Sequence, residues 1–98
     1  MKLSTADVDT RLAKLPGWTK DGDAIKRQFT FKGFPDAVAF ITRLAFDAEA
    51  ADHHPDLLLN YKRVTVTLTT HDQGGLTEKD FAGAGQADEI AGRLGSVD

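Results

Sequence analysis

Cysteine is absent from this 98-residue chain. Its absence excludes a disulfide framework, a thiolate nucleophile and a cysteine zinc site, and it fits a reducing compartment. Long apolar runs are also missing. None approaches the roughly 18 residues of a membrane span. The opening MKLSTADVD has no apolar core of the kind a signal peptide needs. These features predict a cytoplasmic protein with no membrane partner. Basic excess is lacking too: 12 Lys and Arg stand against 15 Asp and Glu, for a net charge of −3. Phosphate backbones are bound by excess positive charge, so direct nucleic-acid binding is not expected. No serine sits in a nucleophile elbow, no carboxylate pair has glycosidase character, and the P-loop pattern is missing. There is no internal repeat, low-complexity segment or long linker. An apolar fraction of 41% and a charged fraction of 28% are ordinary for one small globular domain spanning residues 1–98.

Proline is scarce, and each of the three marks a boundary. Ser4 is a good helix N-cap, with Asp7 as a weaker capping-box partner. Val8, Leu12 and Leu15 then recur at helical spacing until Pro16-Gly17 ends the run. Trp18 opens an extended piece, and Asp21-Gly22-Asp23 is turn chemistry. Ile25, Arg27, Phe29 and Phe31 alternate with Lys26, Gln28, Thr30 and Lys32, the pattern of a strand. Pro35 suits the first turn of a second helix, with Asp36 beside it. Its apolar stripe is Ala37, Ile41, Leu44, Ala45 and Ala48. Pro55 stops it, because a residue before proline is biased out of helical geometry. Leu57 to Leu59 and Val64 to Thr70 form two more strands around Tyr61-Lys62-Arg63. Val64, Val66 and Leu68 face one side; Thr65, Thr67 and Thr69 face the other, to line a cavity or meet solvent. Thr77, with Asp80 at the box position, caps a third helix carrying Phe81, Ala84, Ala87, Ala91 and Leu94. Gly83 and Gly85 weaken that helix and have no reason visible in sequence beyond close packing. The predicted class is α+β: a four-stranded antiparallel sheet with three helices on one face, in the order α-β-β-α-β-β-α.

All three histidines lie between positions 53 and 71, among acidic residues. Imidazole can give and take a proton near neutral pH, so the clustering suggests proton-transfer chemistry or a metal. His53 and His54 fall at a helix-to-strand junction, and His71 just past the end of a strand. All three could meet at one edge of the sheet, with Glu49 and Asp72 close by. Three readings compete: chance surface histidines, a zinc site and general acid/base chemistry. A catalytic zinc uses three protein ligands, but the HxH or HxxxH spacing that puts two on one face is missing. Other residues have plain alternatives. Asp80 could be only a cap partner, Tyr61 only a hairpin cover, and Trp18 only packing. Glu49 is solvated by default. Gly74-Gly75 before a helix is a weak anion-site signal.

Taken together, Glu49, His53-His54-Pro55, Tyr61, His71 and Asp80 resemble the motif of the pterin-4a-carbinolamine dehydratase family. The spacers of three, five, nine and eight residues all have the family length. Thr69 to Thr77 resembles the family's second signature, and Pro16-Gly17-Trp18 also fits. Vertebrate members often carry tryptophan where this chain has Leu57, a difference that bears on packing near the site. The resemblance implies the sheet-and-helix fold already read from the pattern. It also implies dehydration of 4a-hydroxytetrahydropterin to quinonoid dihydropterin, in tetrahydrobiopterin recycling for aromatic amino acid hydroxylases. By resemblance, His53 and His71 transfer protons and His54 binds and orients the pterin, with Tyr61 and Pro55 in the binding set. Glu49 and Asp80 support the imidazoles. The reaction needs an acid and a base but no metal or redox cofactor.

The resemblance leaves a second class open, since family members also act as dimerisation or assembly partners of other proteins. Retention of the full histidine set favours the enzyme. The family forms homodimers and homotetramers, and an exposed sheet edge makes such pairing plausible here.

Overall fold

The computed structural model describes residues 1–97. The elements run α1 (Thr5–Leu12), β1 (Thr19–Asp21), β2 (Ala24–Thr30), α2 (Phe34–Ala51), β3 (Asp56–Asn60), β4 (Arg63–Leu68) and α3 (Glu78–Arg93), with a 3₁₀ turn at His71–Gln73. The four strands form one antiparallel sheet in the order β1-β2-β4-β3. The predicted class and element order are those observed.

Ser4 accepts from the Asp7 N–H and opens α1. Among the described residues the Asp7 carboxylate returns no bond, so this is a single cap and not a box. The helix closes at Leu12, earlier than the proline suggests, and Leu15 lies in the turn that follows. Gly17 has φ +91°, and a Cβ there would lie 2.7 Å from Arg27 Nε, so both backbone and space demand glycine.

One face of the sheet carries Ile25, Phe29, Val64, Val66 and Leu68, all buried. Period-2 alternation puts them together, and α2 and α3 cover them. From α2 the covering residues are Ala37, Phe40, Leu44 and Ala48; from α3 they include Phe81, Ala84, Ala87 and Ile90. Phe40 stands 5.1 Å, centroid to centroid, from both Phe29 and Phe31. The expected α2 stripe is therefore shifted: Phe40 is central and Ala45 is exposed. Gly83 has the packing reason that sequence could not supply, because a Cβ would come within 3.2 Å of Leu68. Gly85 faces open space, and no packing reason for it exists in the structure.

The threonines lie on the face away from the helices. Thr65 lines a shallow cleft with Lys26 and Gln28, whereas Thr69 donates to the Asp23 carbonyl at the other end. β3 is an edge strand, because it pairs only with β4.

Candidate active site

Antiparallel register brings the histidines together. Asp56 pairs with Thr67 and Leu57 with Val66, so each pair of positions sums to 123. The start of β3 therefore lies beside the end of β4, so the segment before Asp56, with His53 and His54, adjoins the segment after Leu68, with Thr70 and His71. The chain enters this position through a left-handed turn. Asp52 caps α2 at φ 51°, and the His53 N–H reaches back to the Ala48 carbonyl at 3.1 Å. Aspartate tolerates that conformation better than most residues because its short polar side chain can bond locally.

On the other side, β4 does not simply end at Leu68. Thr70 bridges to Gly75, closing the 3₁₀ turn that carries His71, and the chain passes directly into the α3 cap. Thr77 and Asp80 form a full capping box. The result is a cavity of about 390 Å³ lined by Asp52, His53, His54, Thr69, Thr70, His71, Asp72 and Lys79. A second cleft, of about 450 Å³, lies against the N-terminal segment and holds no histidine.

The three imidazoles differ in their support. His53 Nε2 is 2.6 Å from Asp80 Oδ1; its side chain is 11% exposed and that of Asp80 is fully buried. Asp80 Oδ2 accepts from the Thr77 N–H at 2.9 Å and from the Thr70 hydroxyl at 2.8 Å. Asp80 is thus both the cap partner and the anchor of His53, two roles that the sequence set against each other. His54 Nε2 is 2.8 Å from Glu49 Oε1, one turn back on α2, and both side chains are exposed. Glu49 is solvated, as expected, yet partnered. The His71 ring is exposed and has no hydrogen-bond partner among the described residues.

Two of the expected binding residues stand apart. Pro55 ends the junction and does not line the cavity. Tyr61 lies in the β3–β4 turn at φ 55°, exposed, at the far end of β3. Five strand residues at about 3.3 Å each separate the two ends, roughly 17 Å. Trp18 is packing with a polar handle: it is buried, and its indole N–H donates to Asp88 Oδ1 at 2.9 Å. Among the described residues no three His, Asp or Glu side chains are arranged to hold a metal ion.

Thr70 and Lys79 were not singled out from sequence, whereas Asp52 belongs to the acidic flank of the histidines and Thr69 to the threonine face read as a possible cavity lining. Thr70 could have been. It continues the Val64, Val66, Leu68 alternation, and a hydroxyl on a buried face demands a buried partner.

An arrangement of this kind can hold a small ring system among three groups able to exchange protons. Comparison with known proteins bears on which one. The sequence profile of the pterin 4 alpha carbinolamine dehydratase family matches residues 1–90. A protein of Roseiflexus sp. (strain RS-1) named for this dehydratase is 52% identical over 89 residues, covering 91% of this chain and 96% of its own. One from Chloroflexus aurantiacus (strain ATCC 29366 / DSM 635 / J-10-fl) is 53% identical over 91 residues, covering 93% and 98%. The crystal structure of a transcriptional coactivator/pterin dehydratase from Brucella melitensis has a TM-score of 0.90 at 40% identity, over 93% of this chain and 99% of that one. A pterin dehydratase-like protein identified as a RuBisCO assembly factor in the alpha-carboxysome has a TM-score of 0.63 at 25% identity, over 76% and 87%. On the profile match and on relatives half identical along nearly their full length, this chain belongs to the pterin 4 alpha carbinolamine dehydratase family.

Proposed function

We propose that the chain dehydrates 4a-hydroxytetrahydropterin to quinonoid dihydropterin by histidine general acid/base catalysis, as a step in tetrahydrobiopterin recycling. The observation that carries this is the convergence of His53, His54 and His71 on one cavity, two of them backed by carboxylates. The C4a–O bond breaks as the hydroxyl takes a proton and leaves as water. The N5 proton is removed, and the C4a–N5 double bond forms. One acid and one base suffice, and the proton count balances without a redox partner. Groups that change charge near neutral pH are efficient in both roles. His53 and His71 transfer the protons, and His54 binds and orients the ring. Asp80 and Glu49 hold the two neighbouring imidazoles in place. Pro55 and Tyr61 belong to the binding set by family resemblance alone. No metal takes part.

The test is direct. Purified chain is added to 4a-hydroxytetrahydropterin, with and without chelator, and loss of the substrate is followed. Acceleration that survives chelator supports the proposal. No acceleration, or activity lost in chelator and restored by zinc, sinks it.

A second reading, a dimerisation or assembly partner, has its own observation. Phe34, Val38 and Phe46 are exposed on α2, and Leu58 is exposed on the edge strand β3. Apolar side chains gathered on one helix and an open edge are features that partners cover. We assign them to a homodimer or homotetramer of the enzyme, formed through sheet edges and helix faces. An aromatic amino acid hydroxylase is the pathway partner that this reading implies, and the site is cytoplasmic.

A further inference from the structure

Four buried or half-buried groups behind His53 form a chain of hydrogen bonds that has only one consistent direction. The Lys79 N–H can only donate, and it donates to Thr77 Oγ1 at 3.3 Å. Thr77 Oγ1 and Thr70 Oγ1 are 2.8 Å apart, and Thr70 Oγ1 is 2.8 Å from Asp80 Oδ2. An ionised carboxylate only accepts, so the Thr70 proton points at Asp80 and the Thr77 proton at Thr70. The Thr77 N–H adds a second donor on the same Oδ2. Thr70, Thr77 and Asp80 are all at most 6% exposed, and among the described residues no buried side-chain polar atom lacks a partner.

The arrangement dictates what Asp80 Oδ1 can meet. With two donors already on Oδ2, the remaining oxygen is matched to a third donor, which is His53 Nε2–H at 2.6 Å. Moving that proton onto Oδ1 would leave two donors aimed at a neutral acid and forfeit their charge assistance. The hydrogen bond made by one ring nitrogen decides the state of the other. Nδ1 is therefore the nitrogen left without a proton in the neutral ring, and His53 lines the cavity.

We propose that Thr70 is a positioning residue. Its hydroxyl, donating to Asp80, sets how strongly that carboxylate attracts His53 Nε2–H, and Nδ1 is the atom that exchanges a proton with substrate. The inference rests on the reading of His53 as a proton-transfer group. In either direction of transfer the same atom serves. A neutral ring accepts at Nδ1, and an imidazolium donates from it.

The experiment compares wild type, Thr70→Val and Thr70→Ser. Valine keeps the volume and removes the hydroxyl; serine keeps the hydroxyl. Two-bond ¹H–¹⁵N correlation spectra of the free protein, at a pH where imidazole is neutral, read the His53 tautomer without substrate. Wild type and Thr70→Ser are expected to show Nε2–H. Thr70→Val is expected to keep Nε2–H, because the ionised Asp80 still accepts from it. Its kcat should fall on the order of tenfold with KM little changed. The limb of its pH–rate profile that His53 sets should move to higher pH, because a carboxylate with one donor fewer attracts the imidazolium more strongly. Thr70→Ser should restore kcat and profile. An Nδ1–H tautomer in wild type overturns the inference. So does a Thr70→Val protein with an unchanged pH profile and an unchanged His53 protonation equilibrium in the same spectra followed against pH. If Thr70→Val does not fold, the wild-type and Thr70→Ser spectra still decide. Because the spectra followed against pH read the tautomer and the protonation of His53 without turnover, they judge Thr70 even if the chain dehydrates no pterin.

Discussion

Replacing Asp80 separates what this carboxylate does for the fold from what it does for the chemistry. Asp80→Ala removes the acceptor for Thr77 N–H, Thr70 Oγ1–H and His53 Nε2–H together. The Thr70 hydroxyl can turn to Thr77, but the other two donors are left in a buried site. Each unsatisfied donor costs about 1–3 kcal/mol, so a loss of about 3 kcal/mol is expected. A chain of this length is stable by about 5–15 kcal/mol. The melting temperature should drop by roughly 12–24 °C, at about 4–8 °C per kcal/mol. Asp80→Asn should behave differently. Two donors aim at Oδ2, so the amide oxygen must sit there, and the amide NH₂ then faces His53. Imidazole can satisfy that NH₂ only by accepting at Nε2, which moves the ring proton to Nδ1. The fold should lose only about 1 kcal/mol, chiefly the charge on a helix cap. Turnover should fall about as far as in His53→Ala, on the order of 10²-fold. The assays are thermal melts and loss of 4a-hydroxytetrahydropterin on the same preparations. Wild-type turnover in Asp80→Asn, or an unshifted melt in Asp80→Ala, would refute the reasoning.

The other expectations concern the histidines, the metal question, the assembly and the turn before His53. His53→Ala and His71→Ala should each lower turnover by roughly 10²-fold or less, with pterin still bound and the double variant worse than either; wild-type turnover at saturating substrate in both singles would remove their proposed roles. His54→Ala should act mainly on pterin affinity, read by titration. Chelator should leave the rate unchanged, and its rescue by added zinc would reverse that conclusion. Sedimentation at micromolar concentration should give at least a dimer, and a lone 10.6 kDa species would contradict the assignment of the β3 edge and α2 face. Asp52→Gly should keep or slightly raise the melting temperature, because glycine adopts φ 51° freely, whereas Asp52→Val should lower it by about 1–2 kcal/mol equivalent; equal melts would show that the left-handed turn is not a constraint.

Most of the fold was legible because period and punctuation agree along this chain. Alternation at residues 25–31 and 64–68 and the stop at Pro55 all had one reading. The errors share a cause, which is that one dimension of pattern does not say which flank of a stripe meets the core. Ala45 and Phe40 both lie beside the α2 stripe, and only the depth of Phe29 and Phe31 selects Phe40. Gly83 is explained by Leu68, a residue fifteen positions away that no local rule connects to it. The gathering of the histidines was legible as an expectation, since the strand ends had to meet. The place of Tyr61 in the β3–β4 turn was legible too, but its separation from the histidines went unweighed, because a motif orders residues along the chain and says nothing of which end of a strand each occupies. Thr70 was passed over because the reading of the buried face stopped at Leu68, although alternation carries that face one step further.

The site also explains why two of its histidines have such different settings. α3 needs a cap wherever it begins, and it begins directly after the turn that closes β4. An aspartate at the third helical position is a good answer to that need, and here it is buried beneath the strand end. A buried carboxylate needs donors on both oxygens. The cap and Thr70 supply one side, and the left-handed turn at Asp52 delivers His53 to the other. His53 is thus oriented by interactions that the fold requires anyway, before any ligand arrives. His71 sits on an exposed 3₁₀ turn with no such partner among the described residues, so under the proposed function its ring would be ordered by the substrate. A pair in which one imidazole is held and the other adapts suits a reaction that removes a proton from one atom of a ring while delivering another to its neighbour. Under the proposed function the fixed group would set the register of the ring, and the free one would close on whatever geometry the first allows.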